Sequence, residues 1–194
     1  ELQGVSCLAL SDAAPTRKGL AVTRCFGRPV TRWAEMREAC AHHASRAGEK
    51  LRAAGLVAGR LGVFLHTDPH GTGPWYSAQH AGRIEPTADA RALIAEAVRM
   101  LAPLWRDGLS YMKVGITLDD LWDAATQPRT LFPTHDPRQS AALMRAMDQV
   151  NARYGRGTLR PLATGIERPW GTRAGRLTPR YTTHPGEIMQ ARAV

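Results

Sequence analysis

The chain has 194 residues, 43% hydrophobic and 22% charged, with a formal net charge of +9. That balance excludes a largely disordered chain, and no apolar run reaches the length of a membrane-spanning helix. Three widely spaced cysteines (Cys7, Cys25 and Cys40) form no disulfide framework, so the expectation is a soluble cytoplasmic protein with reduced thiols, Cys25 and Cys40 being packed inside.

The charge is clustered. Residues 151–194 hold eight arginines against Glu167 and Glu187, and residues 1–30 add Arg17, Lys18, Arg24 and Arg28 against Glu1 and Asp12. Clustered arginine suits forked contacts to phosphate, and a solvated basic surface accounts for it equally well. The opening Glu1-Leu2-Gln3-Gly4 is neither a signal peptide nor an initiator methionine, so the chain is expected to be part of a longer protein.

Residues 1–18 end in a basic, linker-like stretch through Pro15, Arg17 and Lys18. Leu20 to Phe26 follows as a strand closed by Gly27-Arg28-Pro29, with its buried face ambiguous because Leu20 and Val22 share a parity with Arg24. Thr31 is expected to cap a helix whose stripe runs Trp33, Met36, Cys40, Ala44, Ala47, Leu51, with Gly55 as its stop. Leu61 to His66 is a second strand, and the more polar Tyr76 to Glu85 a third at an edge. Thr87 is expected to cap a second helix along Leu93, Ile94, Ala97, Val98, Leu101 and Trp105, broken at Pro103.

The fourth strand, Tyr111 to Leu118, alternates cleanly. Met112, Val114, Ile116 and Leu118 read as one apolar face, and Tyr111, Lys113, Gly115 and Thr117 as the other. Gly115 would admit a ligand or another backbone at close range. The order β-α-β-β-α-β, with both helices amphipathic on one side, indicates an α+β, ferredoxin-like sheet with two helices on one face and the other face bare. Residues 122–135 then form a linker. Asp136-Pro137 starts a further helix with Leu143, Met144, Met147 and Val150 on its apolar side, and a small irregular unit is expected to lean on it.

No catalytic constellation emerges. Asp119-Asp120 diverge on a strand, no glycine-rich phosphate loop or metalloprotease motif occurs, and His66, Asp68 and His70 read as a turn rather than a metal trio. The expectation is therefore no catalytic residue, no metal site and no cofactor in this chain. What remains is binding. Were the first and fourth strands both central, Thr23, Arg24, Phe26, Gly27, Arg28, Tyr111, Lys113 and Gly115 would form one surface able to hold a duplex by its phosphates. Single-strand stacking fits less well, because the outer face offers no aromatic pair.

Glu1-Leu2-Gln3-Gly4, Thr23-Arg24-Cys25-Phe26-Gly27, Lys113-Val114-Gly115, Gly155-Arg156-Gly157-Thr158 and, most specifically, Thr178-Pro179-Arg180-Tyr181-Thr182-Thr183 stand in the order and spacing of a known family. From end to end the chain resembles the C-terminal part of UmuC-type Y-family translesion DNA polymerases, the catalytic subunits of DNA polymerase V. The resemblance implies that residues 1–18 are the end of the thumb and a tether. Residues 19–121 would be the little finger gripping template-primer duplex, and 136–194 a small extra basic domain. It implies an error-prone role in DNA repair and SOS mutagenesis, with Mg2+ held by palm carboxylates outside this chain, which should be inactive alone.

Family members often carry a sliding-clamp peptide after the little finger. Gln127-Pro128-Arg129-Thr130-Leu131-Phe132 occupies that place with one extra residue between the glutamine and Leu131-Phe132. Two other readings stay open: a protein-interaction module recruiting the clamp, a RecA filament or the UmuD dimer, and an RNA-binding ferredoxin-like module.

Overall fold

The computed structural model describes residues 17–127, 136–172, 175, 177–189 and 191. Four strands, β1 (Gly19–Val30), β2 (Leu56–Thr67), β3 (Ser77–Thr87) and β4 (Tyr111–Asp123), form one antiparallel sheet in the order β1-β4-β2-β3. Helices α1 (Trp33–Ala53) and α2 (Ala90–Leu101) alternate with the strands in the order β-α-β-β-α-β, and α3 (Pro137–Tyr154) follows. The α+β class and the two helices on one face are as expected. The strand order carries a correction: β4 is central beside β2, whereas β1 lies at an edge.

Burial follows the pattern of each element. Met36, Ala39, Cys40, Ala44, Ala47 and Leu51 line α1, and Leu93, Ile94, Ala97, Met100 and Leu101 line α2. Both stripes pack on Leu61, Val63 and Leu65 of β2 and on Val114, Ile116 and Leu118 of β4. The small residues of α1 let the helices approach closely. A Cβ on Gly48 would stand 3.1 Å from Cδ1 of Leu93 and 3.2 Å from the Ala88 carbonyl. Gly55, at φ +69°, ends α1 in the left-handed conformation that glycine adopts without penalty. Among the described residues, no helix is long and apolar enough to cross a membrane.

The helix starts differ from the sequence expectation. Arg32, not Thr31, holds the N-cap position of α1 and makes no side-chain cap bond. Asp89, not Thr87, caps α2, accepting from Arg91 N, while Thr87 Oγ1 accepts from Asp89 N. An ionised carboxylate is the stronger acceptor for an unpaired helix amide, so the threonine is relegated to the turn before it. Asp136 caps α3, with Pro137 following, as the sequence implies. The α-helical part of α2 ends at Leu101, and Pro103 lies in a short 3-10 turn, Ala102–Leu104.

The C-terminal unit touches α3, through Asn151, which exchanges two hydrogen bonds with Leu159. Its main seat is elsewhere. Trp170 is buried against Phe26 and the α1 histidines, Gly27 N donates to Trp170 O, and Thr172 Oγ1 donates to Cys25 O. Residues 169–172 therefore run along the outer edge of β1.

Candidate nucleic-acid interface

Directly paired residues of neighbouring antiparallel strands point to the same side of a sheet. Leu20, Val22 and Arg24 of β1 pair with Leu118, Ile116 and Val114, and those three β4 side chains are buried beneath the helices. Thr23 and Cys25 pair with Gly115 and Lys113 on the opposite side. Arg24 and Lys113 therefore lie on opposite faces, which overturns the single surface expected from the sequence. The parity of β1 is settled by Phe26, 5% exposed, whose ring meets Trp170 edge-on at 6.0 Å.

Arg28 is also occupied on the helix side. Its Nη2 donates to Glu35 at 2.9 Å and its Nε to Pro169 O at 3.2 Å. Gly27 is half-buried, its amide already donating to Trp170 O. Tyr111 is a further correction. The register shifts between Lys113 and Tyr111, so the tyrosine faces Thr67 and Val30 and is fully buried. Its ring stacks on Trp105 at 4.8 Å, and its hydroxyl accepts from Arg106 N and donates to Arg106 O. Met112 is the extra residue that reverses the alternation.

The remaining residues share the open face. Lys113 lies between Cys25 of β1 and His66 of β2, with Nζ 5.8 Å from the centre of the Phe64 ring. Thr23 donates to Val114 O. Gly115 does admit a close neighbour, but it is a side chain of this chain: a Cβ there would stand 2.3 Å from Cζ of Phe64. Cys25, expected inside, is exposed on this face, whereas Cys40 is buried and its thiol pushed up to about 12 by burial.

The same register adds cations that the sequence reading missed. Arg60 of β2 is directly opposite Arg83 of β3, with Asp119 of β4 on its other side. Like charges directly opposed destabilise a sheet, and an anion laid across both offsets that cost. His66 and Thr117 join them through pairing with Lys113 and Gly62, and Trp75, 57% exposed, has its ring 5.6 Å from that of His66. Phe64 and Trp75 thus give this side aromatic surface, contrary to expectation. The signal was present: Arg60, Gly62, Phe64 and His66 alternate with Leu61, Val63 and Leu65, although the run reads as apolar at first sight. Arg60, Arg83, Gln79 and Ala81 are exposed, so this face is open to solvent.

Of the clamp-peptide residues, Gln127 is half-buried, and its Oε1 has no hydrogen-bond partner among the described residues. Leu131 and Phe132 lie outside the described residues, as does the segment 1–16.

The fold is thus a four-stranded antiparallel sheet with two helices on one side and Lys113, Arg60 and Arg83 on the open one. The family model for the impB/mucB/samB family C-terminal domain matches residues 17–131, and a domain of unknown function (DUF4113) matches residues 141–191. The chain is 36% identical over 195 residues to the protein UmuC of Salmonella typhimurium, covering 99% of this chain and 46% of that protein. It is equally similar to SamB of the same organism, and 33% identical over 186 residues to MucB of Escherichia coli, at 94% and 44% coverage. The chain therefore spans about half the length of the relatives it matches. Among solved structures, the little finger domain of PolIV in its complex with the beta-clamp processivity factor aligns with 60% of this chain and 99% of its own (TM-score 0.38, 20% identity). A Y-family DNA polymerase chimera aligns with 58% and 31% (TM-score 0.41, 9% identity). The chain belongs to the impB/mucB/samB family, of which UmuC and SamB are similar proteins, and corresponds to its C-terminal domain.

Proposed function

We propose that the open face of the sheet grips template-primer duplex by its sugar-phosphate backbone, within a longer polymerase that copies damaged DNA. Nucleotidyl transfer and its Mg2+ would be left to a palm domain of that longer protein. One observation carries this reading: Lys113, Arg60 and Arg83 lie on a single solvent-open face, with two of the cations directly opposed. Guanidinium and ammonium groups spread over a shallow surface hold a backbone without reading bases. The family membership supports the same reading.

The test is the salt dependence of duplex binding by the full chain. Each phosphate contact removed should take about 0.9 off the slope of log K against log salt concentration. Combining Lys113→Ala, Arg60→Ala and Arg83→Ala should therefore flatten the slope by roughly two to three units. Arg28→Ala should leave it unchanged, because that guanidinium is neutralised by Glu35. An unaltered slope in the triple variant would place the DNA elsewhere.

A second contact is proposed for the clamp. The Gln127 amide, half-buried and with no partner for its Oε1 among the described residues, opens the peptide that ends in Leu131-Phe132. A groove-bound peptide persists in high salt where phosphate contacts fade, so clamp pull-down at about 1 M salt, where screening is nearly complete, separates the two. Loss of capture in salt would refute the peptide contact.

A further inference from the structure

A second concentration of charge lies behind the sheet, on its helix side. A cavity of about 410 Å3 opens between β1, α1, the last turns of α3 and the segment from Arg156 to Thr172. Six arginines and two carboxylates line it. Both carboxylates are committed, Glu49 to Arg46 and Arg156, and Asp148 to Arg52. Arg24, Arg160 and Arg168 form no ion pair among the described residues.

The wall between these cations is aromatic. Trp170 lies with its ring centre 5.6 Å from that of His42 and 6.1 Å from that of His43. Burial, with Arg168 and the other cations adding to it, pushes His42 down to about 3, and burial with Arg24 and Arg168 pushes His43 down to about 4. Both rings are neutral at physiological pH. Two nitrogens behind this wall, Nε2 of His43 and Nε1 of Trp170, are buried with no hydrogen-bond partner among the described residues, on residues each only 4% exposed. An indole N–H can only donate, so it requires an acceptor.

We propose that this cavity receives a phosphate group, held by the guanidiniums of Arg24 and Arg168 against the wall formed by Trp170 and His43. The two guanidiniums come from different elements, β1 and the C-terminal segment, and so approach from more than one side. That arrangement suits a tetrahedral oxyanion, whereas a planar carboxylate is satisfied by one arginine fork. The volume leaves room for the group that carries the phosphate. The site faces away from Lys113, so it does not depend on the duplex contact proposed above. The phosphate belongs either to a small ligand, such as a nucleotide or pyrophosphate, or to a nucleic-acid backbone reaching round the β1 edge.

The test uses the 15N-labelled full chain, with the Trp170 indole resonance assigned by its disappearance in Trp170→Phe. Pyrophosphate should shift that resonance in a saturable way, and Arg168→Gln or Arg24→Gln, both at exposed positions, should weaken binding about tenfold each. Lys113→Gln should leave it unchanged. A short DNA duplex that shifts the same indole identifies the backbone as the source. A duplex that shifts only open-face resonances identifies a small ligand. No indole shift with pyrophosphate up to about 10 mM, the weak end of specific binding, overturns the proposal. An equal shift with acetate, or equal affinity in Arg168→Gln, overturns it as well.

Discussion

A methyl group placed on Gly115 would meet Phe64 at 2.3 Å and Cβ of Thr23 at 2.9 Å, on both sides of the central strand at once. Neither neighbour can yield cheaply, because one is a ring lodged over the strand and the other a β-branched stem. Gly115→Ala should therefore lower stability by about 1–3 kcal/mol, the usual range for overpacking, read as a drop in the thermal midpoint. Phe64→Ala combined with it should restore much of the loss, and failure to do so would show that the ring is not the obstacle. The residue scale is also where sequence reasoning was least able to see. Leu20, Val22, Arg24 and Phe26 share one parity, and the arginine among them made the buried side undecidable locally. The tie is broken by Trp170, far along the chain, which buries Phe26 and draws Arg24 to the helix side. Tyr111 shows the other failure. A one-residue bulge at Met112 reverses a clean alternation and leaves no trace in residue type.

At the scale of elements, the helices and the edge character of β3 were legible, because a periodic stripe needs no distant partner to be recognised. The caps of α1 and α2 were read one and two positions early, and in α2 two acceptors, Thr87 and Asp89, stand close together. Asp89 resolves one such case and ties two helices together. Its carboxylate accepts from the Arg91 amide and guanidinium on α2 and from the Ser140 hydroxyl on α3. Burial alone would raise its pKa, but the hydrogen bonds from Arg91 and Ser140 outweigh that and hold it below the usual range. Asp89→Ala should cost about 1–2 kcal/mol for the cap. It should also speed hydrogen exchange in α3, since Met144 and Met147 pack beside Ala90. Unchanged exchange in α3 would show that the two helices are held together by apolar contact alone.

At the scale of the whole molecule, charge was the most visible property and its placement the least. The sequence has most of its net positive charge at the two ends, and the structure folds part of both ends onto α1. There Arg28 and Arg52 neutralise Glu35 and Asp148. The cations on the open face come instead from the nearly balanced middle, Arg60, Arg83 and Lys113. Net charge by segment could not reveal this, because register, not composition, decides which side of a sheet a residue faces.

The strap formed by residues 169–172 also has a bearing on solubility. With it in place, the main chain of β1 has its bonds filled at Cys25 and Gly27, while along the opposite edge, β3, Pro86 and a register slip discourage strand addition. Cutting the protein back to residues 17–131 would bare a second flank in a strand free of proline from Gly19 to Arg28. That shortened piece should self-associate with rising concentration in sedimentation velocity while the full chain does not. A piece that sediments as a monomer throughout would mean that β1 is kept solitary by its own twist rather than by its guard.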